Sequence, residues 1–132
     1  MKRLWETGIA LFVAASLCSA ANPAMSVKEI MGKLNKGPKA MTLAIKRALQ
    51  APSPSWDEIQ KETQEYANLV KALGQAEPPT GDKSSWEKLT SEYVASATAL
   101  DQAVQKKDKS AALAAHGKIT RSCLNCHKAH RQ

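Results

Sequence analysis

The sequence predicts an all-α protein, folded as an antiparallel four-helix bundle. Three observations carry that expectation. Apolar residues recur at spacings of three and four along most of the chain, which is the period of a helix with one buried stripe. The stretches so marked are joined by short links rich in Pro, Gly and Ser, and short links favour antiparallel neighbours. No convincing alternation of apolar and polar residues marks a strand.

The elements follow in order. Val27, Ile30, Met31 and Leu34 fall at i, i+3, i+4 and i+7, one apolar stripe on a short helix. Gly37-Pro38 interrupts this first helix, since Gly suits a helix end and Pro the first turn of the next piece. The second piece is expected from Pro38 to about Gln50, with Met41, Ile45 and Ala48 inward. A kink within one long helix is the other reading of the same break. Ala51-Pro52-Ser53-Pro54 is a turn, after which Ser55 and Glu58 have the spacing of a capping box. The next helix runs to Leu73, with Trp56, Ile59, Tyr66, Val70 and Leu73 inward and Gly74 as its stop. Gln75 to Lys83, containing Pro78, Pro79 and Gly81, is the longest loop. Ser84 with Glu87 repeats the capping-box spacing, and Trp86, Leu89, Tyr93, Ala97, Leu100 and Val104 form the stripe behind it. Asp108 is a candidate cap in the connection Lys106 to Lys109. The last helix is expected from Ser110 to His130, with Leu113, Ile119, Cys123 and Cys126 on its apolar side.

Residues 1–21 have the plan of a cleaved signal peptide. Lys2 and Arg3 give a positive start, Gly8 to Leu17 an apolar run, and Cys18-Ser19-Ala20-Ala21 a small-residue cleavage region. The run of about ten residues is far short of the ~20 that span a bilayer. Cys18 follows a leucine-rich stretch as lipidated cysteines do, but Leu17 stands where lipoprotein signals carry a small residue. No later segment has the length and apolarity of a membrane span, so stable membrane insertion is not expected. Export to the periplasm, or elsewhere outside the cytoplasm, is. The domain 22–132 then has 111 of the 132 residues, enough for one core. The whole chain carries 19 Lys and Arg against 12 Asp and Glu, a net +7. Without Lys2, Arg3 and Glu6 the balance is 17 against 11, or +6.

Cys123-Leu124-Asn125-Cys126-His127 has the spacing of a c-type haem attachment site. Two thiols three residues apart can each add across a vinyl group of one porphyrin, and the following imidazole can bind its iron. On a helix Cys123 and His127 are four apart and share a face, so tether and axial ligand address the same macrocycle. A zinc ribbon would need a second Cys pair, and the remaining cysteine, Cys18, lies in the segment expected to be removed. A thioredoxin-type pair belongs in a strand-helix-strand unit. A plain disulfide leaves His127 unexplained. One covalently bound haem c per chain, with its iron on His127, is the expectation. A haem between the helices would also supply apolar contact to a domain left with Trp56, Trp86, Tyr66 and Tyr93 as its large aromatics.

The run Lys107 to Arg131, with Gly117 six residues before Cys123 and Arg131 four after His127, resembles the last helix of the cytochrome c prime family. That family is a four-helix bundle with its haem motif near the C-terminus. Two departures are visible: the family usually has a tyrosine at His130, and its first helix is normally uninterrupted. The resemblance implies either of two iron environments. Low-spin relatives bind the sixth position with a methionine on the first helix, shortly followed by a lysine, and Met31 with Lys33 matches that pattern. Met41 is the substitute, because the Gly37-Pro38 break leaves the register open, and Met25 lies too near the mature terminus. High-spin members close the distal side with an apolar side chain and leave the iron five-coordinate, and a protein of that type binds nitric oxide or carbon monoxide at the sixth position. Members often pair, so a homodimer is compatible. Arg131 is placed to meet a propionate or the proximal imidazole, or to act as a cation at a helix C-terminus. His130 is on the proximal helix and poorly placed to reach the distal face. His116, about 16 Å along the helix from His127, is expected to be a surface or packing residue.

Lys106, Lys107, Lys109, Lys118, Arg121, Lys128 and Arg131 flank the haem segment, while acids gather at Asp57, Glu58, Glu62 and Glu65. A basic rim could steer an acidic redox partner; a solvated helix face explains the same charges. Nucleic acid is disfavoured by export and by the lack of interleaved aromatics. The expected function is one-electron carriage, with no enzymatic activity. A gas-binding protein with an open distal site is the alternative.

Overall fold

The computed structural model describes residues 24–131, and the expected signal peptide, with Cys18 in it, lies outside them. Five helices follow one another, α1 Val27–Asn35, α2 Met41–Gln50, α3 Trp56–Gln75, α4 Lys83–Gln105 and α5 Lys109–His130, with no strand among the described residues. None of these helices is long and apolar enough to cross a membrane.

The break at Gly37-Pro38 is a turn between two separate helices. Gly37 takes φ +79°, a left-handed conformation that costs glycine little. Its carbonyl accepts the Ala40 N–H at 3.2 Å, which puts Pro38 at the second position of a four-residue turn. The second helix therefore begins at Met41 rather than Pro38.

Helix ends depart from the sequence expectation in four places. The spacing Ser55-x-x-Glu58 does not form its capping box, and Ser55 makes no side-chain cap. Ser84 is inside α4, not at its cap: Asp82 comes first and its carboxylate takes both the Ser85 N–H at 2.9 Å and the Ser84 hydroxyl at 2.6 Å. Gly74 does not stop α3. It stays helical because α4 comes close there, with Thr90 and Val94 within 3.6–3.8 Å of where a Cβ would stand. A capping box does form at Ser26 and Glu29, where none was expected. Asp108 caps α5 as expected, accepting the Ala111 N–H at 3.0 Å.

The core joins all five helices. Ile30 and Leu34 of α1, Ile45 and Leu49 of α2, Ile59, Tyr66, Val70 and Leu73 of α3, Trp86, Leu100 and Val104 of α4, and Ile119 of α5 are buried together. Trp56, Leu89, Leu113, Cys123 and Cys126, all expected inward, are half-buried. Helix α4 packs along both α3 and α5, and α2 reaches α3 and α5. Helix α1 packs on α2 and α3 and makes no backbone-level contact with α4 or α5. That open side decides where the site lies.

Candidate functional site

Between α1 and the pair α4, α5 is a gap lined by Met31 and Asn35 from α1, Leu89 and Tyr93 from α4, and Ser122, Cys123, Cys126 and His127 from α5. Helical spacing assembles each wall. Met31 and Asn35, Leu89 and Tyr93, and Cys123 and His127 are each four residues apart and so share a face. The two thiols, the adjoining imidazole and one thioether thus meet at a single place. Met41 does not: it lines a separate surface groove with Lys33, Lys39, Ala44, Glu62 and Glu65.

Both cysteines stand as separate, half-buried thiols. Cys123 Sγ donates to the Ile119 carbonyl at 3.2 Å. Burial pushes both thiols above the usual cysteine range, and for Cys126 the neighbouring Cys123 adds to it. A thiol-disulfide exchange centre needs the opposite, a depressed thiol. Among the described residues no three His, Cys, Asp or Glu side chains converge to hold a bare metal ion, whereas a haem asks only one axial ligand from each side.

The donor set fits a c-type haem: two thiols and a neighbouring imidazole on one wall, a thioether on the other. The gap holds about 20 Å³ of free space, room for about one water. Taking in a porphyrin requires α1 to stand farther from α5. Helix α1 packs on α2 and α3 and has no backbone-level packing against α4 or α5.

The other two histidines are structural. His116 is 5 % exposed, and its Nε2 donates to the Thr42 carbonyl at 2.7 Å, tying α5 to α2. His130 is 3 % exposed. Its Nδ1 donates to the Thr80 carbonyl at 2.8 Å, Ser85 Oγ lies 3.1 Å from Nε2, and Trp86 meets the ring edge to face at 5.3 Å. The α3–α4 loop is thereby fastened to the last turn of α5, three residues beyond His127. Gly81 is part of this fastening: at φ +85°, any Cβ would fall 2.5 Å from the Ala129 carbonyl oxygen. Arg131 is exposed, and its backbone N–H closes on the His127 carbonyl at 3.1 Å.

Asn35, Leu89, Tyr93 and Ser122 complete the lining and were not singled out as site residues in the sequence. Only their spacing of four or fewer from better-marked neighbours could have suggested them. Comparison with protein-family models, with curated proteins and with solved structures finds no match for this chain.

Proposed function

We propose that the chain is an exported monohaem c-type cytochrome carrying single electrons, an antiparallel four-helix bundle of the cytochrome c prime kind in which α1 and α2 together make the first helix. The reading is carried by one observation, the meeting of Cys123, Cys126 and His127 on α5 with Met31 on α1 at a single gap.

When bound, the haem would supply reversible one-electron exchange at iron. Cys123 and Cys126 would hold it through thioethers, leaving no free thiol. His127 would offer its imidazole from the α5 wall and Met31 its sulfur from α1. Leu89 and Tyr93 would close the α4 side against water, which favours a raised potential together with a thioether ligand. Arg131, exposed at the end of α5, would be available to a propionate.

The surface beside the motif suits an acidic redox partner. Leu124 is 60 % exposed, and Lys118, Arg121, Lys128 and Arg131 are exposed on the same helix or at its end. A basic rim around an apolar contact raises the rate of encounter with an acidic partner through its charges, more than it raises affinity.

Optical spectroscopy of the holoprotein tests the reading. A low-spin spectrum that turns high-spin and CO-reactive in Met31→Ala is expected. A native spectrum already high-spin and CO-reactive would replace electron carriage with gas binding at an open distal position.

A further inference from the structure

Five side chains from four helices form one hydrogen-bonded line that ends at Met31. Thr42 Oγ1 donates to Asn35 Oδ1 at 2.9 Å, and the Asn35 amide donates to Met31 Sδ at 3.6 Å. A threonine hydroxyl has one proton, and here it goes to Asn35. The 3.2 Å contact between Thr42 Oγ1 and Tyr66 Oη must then be donated by Tyr66. Tyr66 has likewise used its proton, so the 2.6 Å contact with Tyr93 Oη is donated by Tyr93. The line therefore runs one way, from Tyr93 on α4 through Tyr66 on α3 and Thr42 on α2 to Asn35 and Met31 on α1. Burial raises both phenols above the usual tyrosine range, so neither loses its proton near neutrality. Thr42 is also held from its backbone side, where its carbonyl accepts from His116.

We infer that Asn35, anchored by Thr42, is a positioning residue for the Met31 thioether. The inference rests on the reading of Met31 as the distal ligand. Methionine has three rotatable bonds and no shape of its own, so nothing in its side chain fixes where its sulfur points. A thioether sulfur has two lone pairs. The Asn35 amide takes one, which fixes the side chain against α1 and leaves the other for iron. The same amide draws electron density from the sulfur. A ferric ion depends on ligand donation more than a ferrous ion does, so the bond to Asn35 disfavours the oxidised state and raises the reduction potential.

The test compares holoprotein variants by optical spectrum and redox titration. Asn35→Leu keeps the side-chain size and removes the amide. It is expected to remain low-spin with a reduction potential below that of the parent. Thr42→Val, which cuts the anchor and leaves the amide, should shift the potential the same way by less. Met31→Ala separates the two levels of the argument. If it turns the spectrum high-spin while Asn35→Leu titrates at or above the parent potential, the role of Asn35 is overturned and the reading of Met31 stands. If Met31→Ala leaves the spectrum unchanged, both fall. Should Asn35→Leu fail to accumulate as holoprotein, Thr42→Val decides by the same comparison.

Discussion

Tyr66 is 1 % exposed, and its hydroxyl is the middle of a polar line that crosses the core. Its ring meets Tyr93 edge to face at 6.2 Å. Such a hydroxyl is retained at little net gain, but removing it strands its neighbours. Tyr66→Phe leaves Tyr93 Oη buried without an acceptor and should cost about 1–3 kcal/mol. The denaturation midpoint of the holoprotein should fall with an unchanged m-value. Cys123, Cys126 and His127 could be grouped from the sequence because their chemistry is local: three side chains within five positions. His116 was expected at the surface or in packing, and it packs, but what His116 and His130 bond to was not legible. Their partners are the carbonyls of Thr42 and Thr80, 74 and 50 residues away, and a backbone carbonyl has no sequence signature. Met31 was preferred from its place on the first apolar stripe, with Met41 as the substitute. The structure sets Met31 in the gap and Met41 in a separate groove.

At the scale of the helices, periodicity located every element, and the ends were less secure. A capping box requires a serine or threonine with a free approach to the first-turn N–H groups. At Ser84 the Asp82 carboxylate is already there, and at Ser55 the backbone leaves at ψ 82° and the hydroxyl makes no cap. Glycine misled at Gly74 for a related reason, because a glycine can end a helix or admit a neighbouring one, and the difference is tertiary. At the starts of α1 and α4 hydrogen bonds hold a carboxyl down. Glu29 accepts the Ser26 N–H at 2.8 Å, and this and the Ser26 hydroxyl hold it below its ordinary 4.5. Asp82 is held below its ordinary 3.8 by the Ser84 hydroxyl and the Ser85 N–H. A depressed carboxyl contributes stability in full above its unfolded value and loses it as pH falls through the folded one. Thermal melts followed by circular dichroism should therefore weaken as pH falls below the ordinary carboxyl values of 4.5 and 3.8, and the loss should be shallower in a Glu29→Gln, Asp82→Asn double variant.

Taken whole, the molecule is a layered helical core with one helix, α1, standing apart from α4 and α5. The sequence foretold the all-helical class and the break before α2, since both follow from spacing and from Gly and Pro. It did not foretell that α1 would pack on α2 and α3 alone, because which helices pack side by side depends on contacts spread over the chain. The account depends on the gap between α1 and the pair α4, α5 receiving an iron porphyrin through α5. Intact-mass measurement of the protein made in cells competent for cytochrome maturation tests this most directly. The account predicts a mass increased by one haem, with the added group found on the peptide containing Cys123 and Cys126 and lost when both are changed to alanine. A coloured-cell preparation giving the bare polypeptide mass, with both thiols free to alkylate, would contradict it.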